Sequence, residues 1–296
     1  MAIGIYSSYY ADSGDKPVKV VHDLAKERWA EVAEGVIISR GLVSENMTLV
    51  ISGNEAAVID TGFVSFFNEE DNKGIYILTD YIKDHNLTVR YVFFTHNDSD
   101  HFLGYKYFNN RHIENGQEPE VFAPNNTKDG QIINMGHRVF KIIATPGHST
   151  YRGGHISVEL VNENILASGD VLYSNFLPGM LDCDTSQDLL NSLNKIKREK
   201  YDVIIPGHGN IIDPVRLVDR NIRYLENAIK LTKKIINNGG TLADVYKDVR
   251  IEDCTKDMDQ IKLGDARTMH KNNIRVIYDE LTGRTKTPEH MKKGNN

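Results

Sequence analysis

The sequence predicts an α/β protein in which mixed strands and helices are followed by a helical C-terminal extension. Three observations lead to this prediction. Short apolar runs separated by Gly, Ser and Asn precede Asp60, apolar strand patterns and helical patterns alternate as far as His208, and the remaining chain carries the 3.6-residue period of helices. At 296 residues the chain is long enough to bury a full core.

The first part of the chain, from Glu27 to Asp60, contains the apolar runs VIISRG, MTLVIS and AAVIDTG. Turn-forming residues separate these runs, so they predict an antiparallel meander. Ile75, Leu78 and Ile82 then lie at helical spacing, and the run VRYVFF within residues 87–94 predicts the next strand. A second helix is expected through Tyr105 and Phe108.

The middle of the chain predicts five more strands, a helix and a last strand. The strand patterns are PEVFAP, QIINM, RVFKIIATPG, HISVEL and NILASGD, the helix is SQDLLNSLNKIKREK, and the last strand is YDVIIPGHG. Amphipathic helices follow, with Gly239 and Gly240 as a break between them. We therefore expect one domain over residues 1–213 and a helical extension over residues 214–296 packed on it.

Composition narrows the classes of partner. The net charge of −6 gives no positive field that would attract a phosphate backbone, so nucleic acid is not expected as a partner. Two cysteines, Cys183 and Cys254, are too few for a disulfide framework. No signal-peptide pattern and no membrane-length apolar run occurs, so we expect a soluble cytoplasmic protein that does not bind membranes.

The stretch THNDSDH, residues 95–101, places two histidines and two aspartates directly after the apolar strand YVFF. One interpretation is a polar turn whose side chains bond their own backbone. Other polar residues, however, also follow apolar strands and lie beside or near glycine; they are Asp60, His148, Asp170 and His208. Strand ends of this kind can meet at one sheet edge, so the sequence predicts a metal site there.

The motifs VIDTG, THNDSDH, TPGHS, SGD and PGHG occur in this order between about residues 30 and 210. In this respect the chain resembles the metallo-beta-lactamase superfamily, which includes glyoxalase II and lactonases. The resemblance implies an αββα sandwich with a dinuclear metal site at one edge between two sheets. It implies that His96, the residue at position 98 and His148 hold the first metal, that Asp100, His101 and His208 hold the second, and that Asp170 bridges them. Asp100 is also the residue expected to be catalytic.

The chain departs from the family motif at position 98, where Asp98 replaces the usual histidine of His-x-His-x-Asp-His. A decayed site is one interpretation, but the other six ligand positions are intact. Flavodiiron proteins, a branch of the same superfamily, carry a carboxylate here. Three carboxylates facing two divalent ions leave a charge of about +1, and a harder ligand set favours iron or manganese over zinc. The expected cofactors are therefore two divalent ions, which are either zinc ions or ions of iron or manganese.

The resemblance implies a metal-dependent hydrolase in which a bridging hydroxide attacks an ester, lactone, thioester or related bond of a small-molecule substrate. The alternative is a non-hydrolytic di-iron protein that binds or reduces oxygen. A nuclease is a third possible function. Asp60 is expected to support a ligand histidine or the motif backbone, and His155 to be buried and hydrogen-bonded. Tyr151 and Tyr173 could reach the pocket. The C-terminal helices are expected to cover the pocket or to form a homodimer interface.

Overall fold

The computed structural model describes residues 24–109, 118–180, 183, 185–256 and 263–284. Within these residues two sheets lie face to face. The first sheet contains six strands in sequence order, and the second contains five strands in the order β11-β10-β9-β8-β7. Both sheets mix antiparallel and parallel pairs, because hairpins join the antiparallel neighbours and helical crossovers join the parallel ones.

The first sheet begins with the predicted meander and ends with two parallel pairs. β1 to β4 are antiparallel neighbours, and β4 pairs parallel with β5, as β5 does with β6. The strand bounds are β1 (Trp29–Ala33), β2 (Val36–Arg40), β3 (Asn46–Ser52), β4 (Glu55–Ile59), β5 (Thr88–Phe93) and β6 (Glu120–Phe122).

The second sheet is antiparallel from β7 to β10, and its last strand pairs parallel with β10. The strand bounds are β7 (Ile132–Met135), β8 (Arg138–Ala144), β9 (Ile156–Leu160), β10 (Ile165–Tyr173) and β11 (Val203–His208). Every residue of β10 is buried, because this strand has a neighbour on each side and packing on both faces.

The helices lie outside the two sheets. They are α1 (Leu24–Glu27), α2 (Lys73–Asp84), α3 (Ser99–Phe102), α4 (Tyr105–Phe108), α5 (Ser186–Glu199), α6 (Pro214–Asn237), α7 (Leu242–Asp248), α8 (Ile251–Cys254) and α9 (Leu263–Leu281), with single 3-10 turns at Glu69–Asn72 and Thr150–Arg152. Of the helices in the described residues, none combines the length and the apolar character needed to cross a bilayer.

Three buried clusters define four layers. One cluster fills the space between the sheets and includes Phe93 and Phe140. A second joins the outer face of the first sheet to α2 and α4. The third joins the outer face of the second sheet to α5 and to the helices that follow β11. The αββα sandwich with C-terminal helices is therefore confirmed.

Three local details differ from the sequence prediction. Strand β1 precedes the three apolar runs that predicted the meander and was not itself predicted. The helix expected through Tyr105 and Phe108 is two single turns, α3 and α4, separated by residues 103 and 104. The four-residue helix α8 was not predicted, because a single turn is too short to show a 3.6-residue period. The long amphipathic helices α2, α5, α6 and α9 lie where their apolar periodicity predicted them.

Candidate metal centre

The sheet topology brings the predicted residues to one edge. β4 and β5 run parallel, so Asp60 and the motif THNDSDH leave the first sheet at the same edge. β10 and β11 also run parallel, and β8 points the same way as β10 because each is antiparallel to β9. The loop after β8 therefore carries His148 to the edge where Asp170 and His208 lie.

All seven predicted residues meet there, in three overlapping groups whose potential ligand atoms lie within 4.8 Å of one another. The groups are His96, Asp98 and His148; His96, His101 and Asp170; and Asp100, His101 and His208.

Asp98 faces the first pair of histidines and Asp100 faces the second. The Oδ2 atom of Asp98 lies 3.6 Å from Nε2 of His96 and 3.6 Å from Nε2 of His148. The Oδ2 atom of Asp100 lies 3.2 Å from Nε2 of His208 and 3.8 Å from Nε2 of His101. Most of these separations exceed a hydrogen bond, and together they leave space between the donor atoms.

Asp170 stands between the two groups. Its Oδ2 atom lies 3.8 Å from Nε2 of His148 and 3.3 Å from Nε2 of His208, and its Oδ1 atom lies 3.3 Å from Nε2 of His101. One carboxylate thus reaches histidines of both groups, which is the arrangement needed for a bridging ligand.

The unsatisfied buried atoms indicate what would occupy this space. Nε2 of His96, His101 and His148 and Oδ1 of Asp170 are buried and make no hydrogen bond within the described residues. A buried polar atom without a partner is costly, and several aimed at one volume fit a cation that takes the place of the ring protons. Imidazole and carboxylate donors of this kind suit zinc, iron or manganese, so the residues fit the metals that the motifs imply.

The other ring nitrogen of each histidine is fixed. Nδ1 of His148 donates to the carbonyl of Gly179 at 2.9 Å, and Nδ1 of His208 donates to the carbonyl of Val43 at 3.2 Å. Nδ1 of His96 pairs with the Thr95 hydroxyl at 3.0 Å. An Nδ1–H donor places the acceptor lone pair on Nε2, which is the tautomer that a metal requires.

Asp60 fixes the fourth histidine and the start of the motif. Its Oδ2 atom accepts hydrogen bonds from Nδ1 of His101 and from the Thr95 hydroxyl, each at 2.8 Å, and its Oδ1 atom accepts the backbone N–H of Thr95 at 2.8 Å. The expectation that Asp60 supports a histidine and the motif backbone is confirmed.

His155 holds Asp170 through the backbone. Nε2 of His155 accepts the N–H of Asp170 at 3.0 Å, so its proton is on Nδ1, which lies 2.8 Å from the Thr145 hydroxyl. Burial, with the nearby His96 and His148, lowers the pKa of His155 well below its usual value, in agreement with a neutral ring. The predicted buried, hydrogen-bonded role is confirmed.

The Oδ1 atom of Asp98 binds groups other than the histidines. Oδ1 accepts the Ser149 hydroxyl at 3.1 Å and lies 3.3 Å from Nη1 of Arg152. Asn97 in turn donates to the carbonyl of Arg152 at 2.8 Å, so the motif loop and the turn after His148 hold each other. This leaves Oδ2 as the oxygen that faces His96 and His148.

Two glycines are required by close approach to Asp170. A Cβ at Gly207 would lie 1.9 Å from Oδ1 of Asp170, so only glycine fits before His208. Gly169 has φ +54°, and a Cβ there would lie 2.6 Å from Nε2 of His155. Gly207 therefore makes room for the carboxylate of Asp170, and Gly169 makes room for the ring of His155.

The electrostatics of the metal-free site are those of interlocked acids and imidazoles. Burial opposes the charge on His148, but Asp98 and Asp170 raise its pKa to about 10. Burial likewise opposes the charge on His208, and Asp170 and Asp100 raise its pKa to about 10. Burial favours the neutral form of Asp170, but His208 and His101 hold its pKa well below the usual value.

A cavity of about 460 Å³ opens onto the histidines and aspartates. Its wall includes Tyr173, Phe176, Met180 and, from α9, Met269. The hydroxyl of Tyr173 donates to Oδ2 of Asp170 at 2.6 Å, and its ring stacks on His208. Tyr173 therefore reaches the pocket, whereas the side chain of Tyr151 lies outside the described part of the chain.

The sequence analysis did not predict several groups that hold the histidines in place. Glu45 is fully buried and accepts the backbone N–H groups of Val43 and Phe63, which fixes the loop whose Val43 carbonyl meets His208. Burial raises the pKa of Glu45. The Gly179 carbonyl has no sequence signature, because every residue carries one. Asn273 could have been singled out in the sequence, because it is a polar residue on the apolar face of the helix that became α9.

Comparisons with known proteins agree with this geometry. The family model of the metallo-beta-lactamase superfamily matches residues 40–116 and 114–208. Among solved structures, a metallo-beta-lactamase family protein from Thermus thermophilus superposes with a TM-score of 0.59, covering 86% of this chain and 95% of that one at 15% identity. That likeness supports the fold alone.

Relatives are found at low identity. The Beta-lactamase-like protein 2 homolog of Caenorhabditis elegans is 26% identical over 81% of this chain and 79% of its own. A hydroxyacylglutathione hydrolase of Pseudoalteromonas translucida is 32% identical over 40% of this chain and 46% of its own. The human Acyl-coenzyme A thioesterase MBLAC2 is 30% identical over 34% of this chain and 37% of its own. That match therefore spans less than half of this chain and less than half of the thioesterase. With a family model that matches more than half of its length, the chain belongs to the metallo-beta-lactamase superfamily.

Proposed function

We propose that this protein is a hydrolase that binds two divalent metal ions and cleaves a thioester or ester with an apolar acyl group. The observation that supports this best is the convergence of seven His and Asp side chains on one volume at the floor of a cavity. His96, Asp98 and His148 would hold one ion, Asp100, His101 and His208 the other, and Asp170 would contact both.

Two ions bound there would polarise the acyl carbonyl and supply a nucleophilic hydroxide at neutral pH. Hydrolysis breaks the bond between the acyl carbon and the sulfur or oxygen of the leaving group, and water provides the new acid oxygen and the proton of the thiol or alcohol. The chain's own part is to orient the substrate and to move that proton.

Asp100 and Tyr173 both line the cavity and are suited to these tasks. Asp100 is partly exposed; burial opposes its charge, but its pairing with His208 keeps the pKa lowered, so it is an anionic proton acceptor. Burial and the adjacent Asp170 raise the pKa of Tyr173 well above its usual value. Tyr173 therefore stays protonated; its proton is donated to Oδ2 of Asp170 at 2.6 Å, so the hydroxyl oxygen is left to accept a hydrogen bond from the substrate and to orient it.

The cavity wall supports an apolar acyl group. Val43, Phe176, Met180 and Met269 contribute apolar surface, and no lysine or arginine belongs to the wall among the described residues. Methionines are flexible and polarisable, so they can adapt to unbranched chains. The thioesterase relative is in agreement with an acyl substrate, although only part of its length is matched.

The test combines metal content with activity. Protein purified under argon is analysed for metals and assayed with acyl-coenzyme A thioesters and p-nitrophenyl esters of increasing chain length. We expect two ions per chain, and about one ion and at least a ~100-fold loss of activity in either His148→Ala or His208→Ala, because losing a ligand costs more than losing its supporting hydrogen bond. Full occupancy and full activity in both variants would refute the proposal.

Met269→Trp tests the substrate class. Because Met269 lies on the cavity wall, a larger side chain should fill the space used by long acyl chains. We expect kcat/KM for long-chain substrates to fall by ~10-fold or more while that for acetyl substrates changes little. An equal loss for all chain lengths would indicate that the acyl group lies elsewhere.

A second candidate function is a di-iron protein that binds or reduces oxygen. It is favoured by Asp98, whose Oδ2 atom faces His96 and His148 and makes the site richer in carboxylate than the usual motif. An external electron donor would be required. An iron-loaded protein that consumes oxygen with a reductant and hydrolyses none of the acyl substrates would support this alternative.

A further inference from the structure

His148 depends on a single backbone group for its orientation. Its Nδ1 donates to the carbonyl of Gly179, 31 positions further along the chain. Residues 177–180 have no regular secondary structure, so no strand or helix ladder holds this carbonyl in place. Cys183 reaches this segment from one side, through its N–H to the Met180 carbonyl at 3.1 Å and its thiol to the Gly179 carbonyl at 3.8 Å. A further contact is needed to fix the segment, because a ligand whose ring can turn loses metal affinity.

Asn273 on α9 supplies that contact on both sides of Gly179. Its Nδ2 donates to the carbonyl of Pro178 at 2.7 Å, and its Oδ1 accepts the N–H of Met180 at 3.2 Å. Asn273 is fully buried, so water does not compete for these bonds. The two bonds bracket Gly179 and set the direction of its carbonyl.

The amide of Asn273 is itself fixed by a buried chain of hydrogen bonds. Its Nδ2 also donates to the hydroxyl of Tyr224 on α6 at 3.1 Å. That hydroxyl lies 3.1 Å from Nδ1 of His270, and Nε2 of His270 donates to the carbonyl of Val249 at 3.0 Å. Burial lowers the pKa of His270, which keeps this ring neutral and able to accept at Nδ1.

We infer that Asn273 is a positioning residue for the first metal ion, which it orients through Gly179 and His148; the inference rests on the proposed metal site. α9 lies beyond residue 208, where the match to the family model ends. The helical extension therefore does more than line the cavity, because it completes the support of a metal-binding histidine.

The experiment is a Co²⁺ titration of metal-free protein, followed by absorption spectra and by competition with a chelator. Asn273→Ala is expected to lower the affinity for one of the two Co²⁺ ions by about tenfold or more and to change the absorption spectrum of that ion, because a metal ligand loses its support. Asn273→Asp keeps the acceptor for Met180 but loses the donor to Pro178. It should change the affinity and spectrum of the same Co²⁺ ion, and it replaces Asn273→Ala if that variant is too unstable to study.

Two controls separate orientation from general damage. Ile277→Ala removes apolar contacts of α9 in the buried core but no hydrogen bond to residues 178–180, so it should destabilise the fold while Co²⁺ binding stays within about twofold of wild type. In a His148→Ala background, which is expected to keep one ion, Asn273→Ala should leave the affinity for that remaining ion unchanged, because the residue through which it acts is absent.

The outcomes distinguish the two proposals. Wild-type protein that binds two Co²⁺ ions, with unchanged binding in Asn273→Ala, overturns this inference alone. Equal weakening of both ions, or an undiminished effect in the His148→Ala background, also overturns it. Wild-type protein that binds no Co²⁺ overturns the proposed metal site and this inference with it.

Discussion

At the scale of single residues, Asp98 is the position that makes this site unusual. One of its oxygens faces His96 and His148, and the other is held by Ser149 and Arg152. A carboxylate ligand is harder than imidazole and adds a negative charge. The half-exposed Arg152 offsets part of that charge from outside the site.

We expect Asp98→His to shift metal preference toward zinc, by ~10-fold or more in the ratio of zinc to iron affinity, because it restores an imidazole pocket. The measurement is metal competition under anaerobic conditions. Asp98→Asn is the control, since it removes the charge without adding an imidazole. An unchanged preference in Asp98→His would mean that Asp98 does not bind metal, and the di-iron alternative would lose its support.

The histidines predict how metal binding depends on pH. The pKa values of His148 and His208 are raised to about 10 in the metal-free protein, so both rings are protonated near neutral pH. Each ion must displace such a proton, so affinity should rise by up to ~10-fold per pH unit for each proton released, between about pH 6 and pH 8. Titrations of Co²⁺ across this range test it.

Asp98→Asn is also the control for this prediction. It removes the carboxylate that raises the pKa of His148, so the slope for the first ion should become shallower. A pH-independent affinity in the wild type would contradict the assignment of protonated histidines.

The same shifts predict a change in stability of the metal-free protein. A raised pKa stabilises the folded, protonated form; this contribution is complete below the ordinary histidine pKa of about 6.5 and is lost as pH rises toward about 10. We therefore expect the free energy of unfolding to fall across this window, measured by urea denaturation. A metal-loaded sample should not show this fall, because its histidines are already deprotonated.

At the scale of secondary-structure elements, the parallel pairs β4–β5 and β10–β11 concentrate the chemistry at one edge. β10 and β11 approach each other closely because Gly169 precedes Asp170 and Gly207 precedes His208. Gly207→Ala would place a methyl group 1.9 Å from Oδ1 of Asp170, so either the carboxylate or β11 must move.

Gly207→Ala is expected to lower metal occupancy and to destabilise the fold by ~2 kcal/mol or more, because neither neighbour can yield without losing contacts. Gly130→Ala is the control: it has space around the new methyl group but a φ of +78°, so it should cost ~1 kcal/mol and leave metal content unchanged. Metal analysis and thermal unfolding distinguish the two. Normal occupancy in Gly207→Ala would show that the approach to Asp170 is not tight.

At the scale of the whole molecule, the helices after β11 share a core with the second sheet. One buried cluster includes Leu166 and Ile204 from the sheet, Leu189 from α5, Leu225 from α6 and Ile277 from α9. Glu280 of α9 also accepts the N–H and hydroxyl of Ser186 at the start of α5. We propose that residues 214–296 are an extension of the same domain.

Truncation after residue 213 is therefore expected to expose a large apolar surface and to produce aggregated protein. Size-exclusion chromatography of the truncated and full chains makes the comparison. A soluble truncated chain with unchanged substrate preference would exclude any role of the helices in the core or the cavity. Size-exclusion chromatography of the full chain also tests the predicted homodimer interface.

The sequence by itself determined the order of strands β2 to β11 and of the long helices, and its motifs, through their resemblance to the superfamily, named the seven side chains that meet at one edge. It could do so because apolar periodicity is a local property, and because polar residues beside glycine at strand ends mark their own positions. The supporting roles of Asp60 and His155 were expected from the resemblance to the superfamily, because each stands where relatives carry such a residue.

Only the tertiary structure decided how the histidines are held and what surrounds the proposed metal site. The supports of His148 and His208 are the backbone carbonyls of Gly179 and Val43, and carbonyls have no signature in a sequence. Glu45 and Asn273 act across long separations along the chain, through contacts that arise only when distant elements pack. The cavity wall likewise combines residues from β10, from the loop after it and from α9, so its shape exists only in the folded protein.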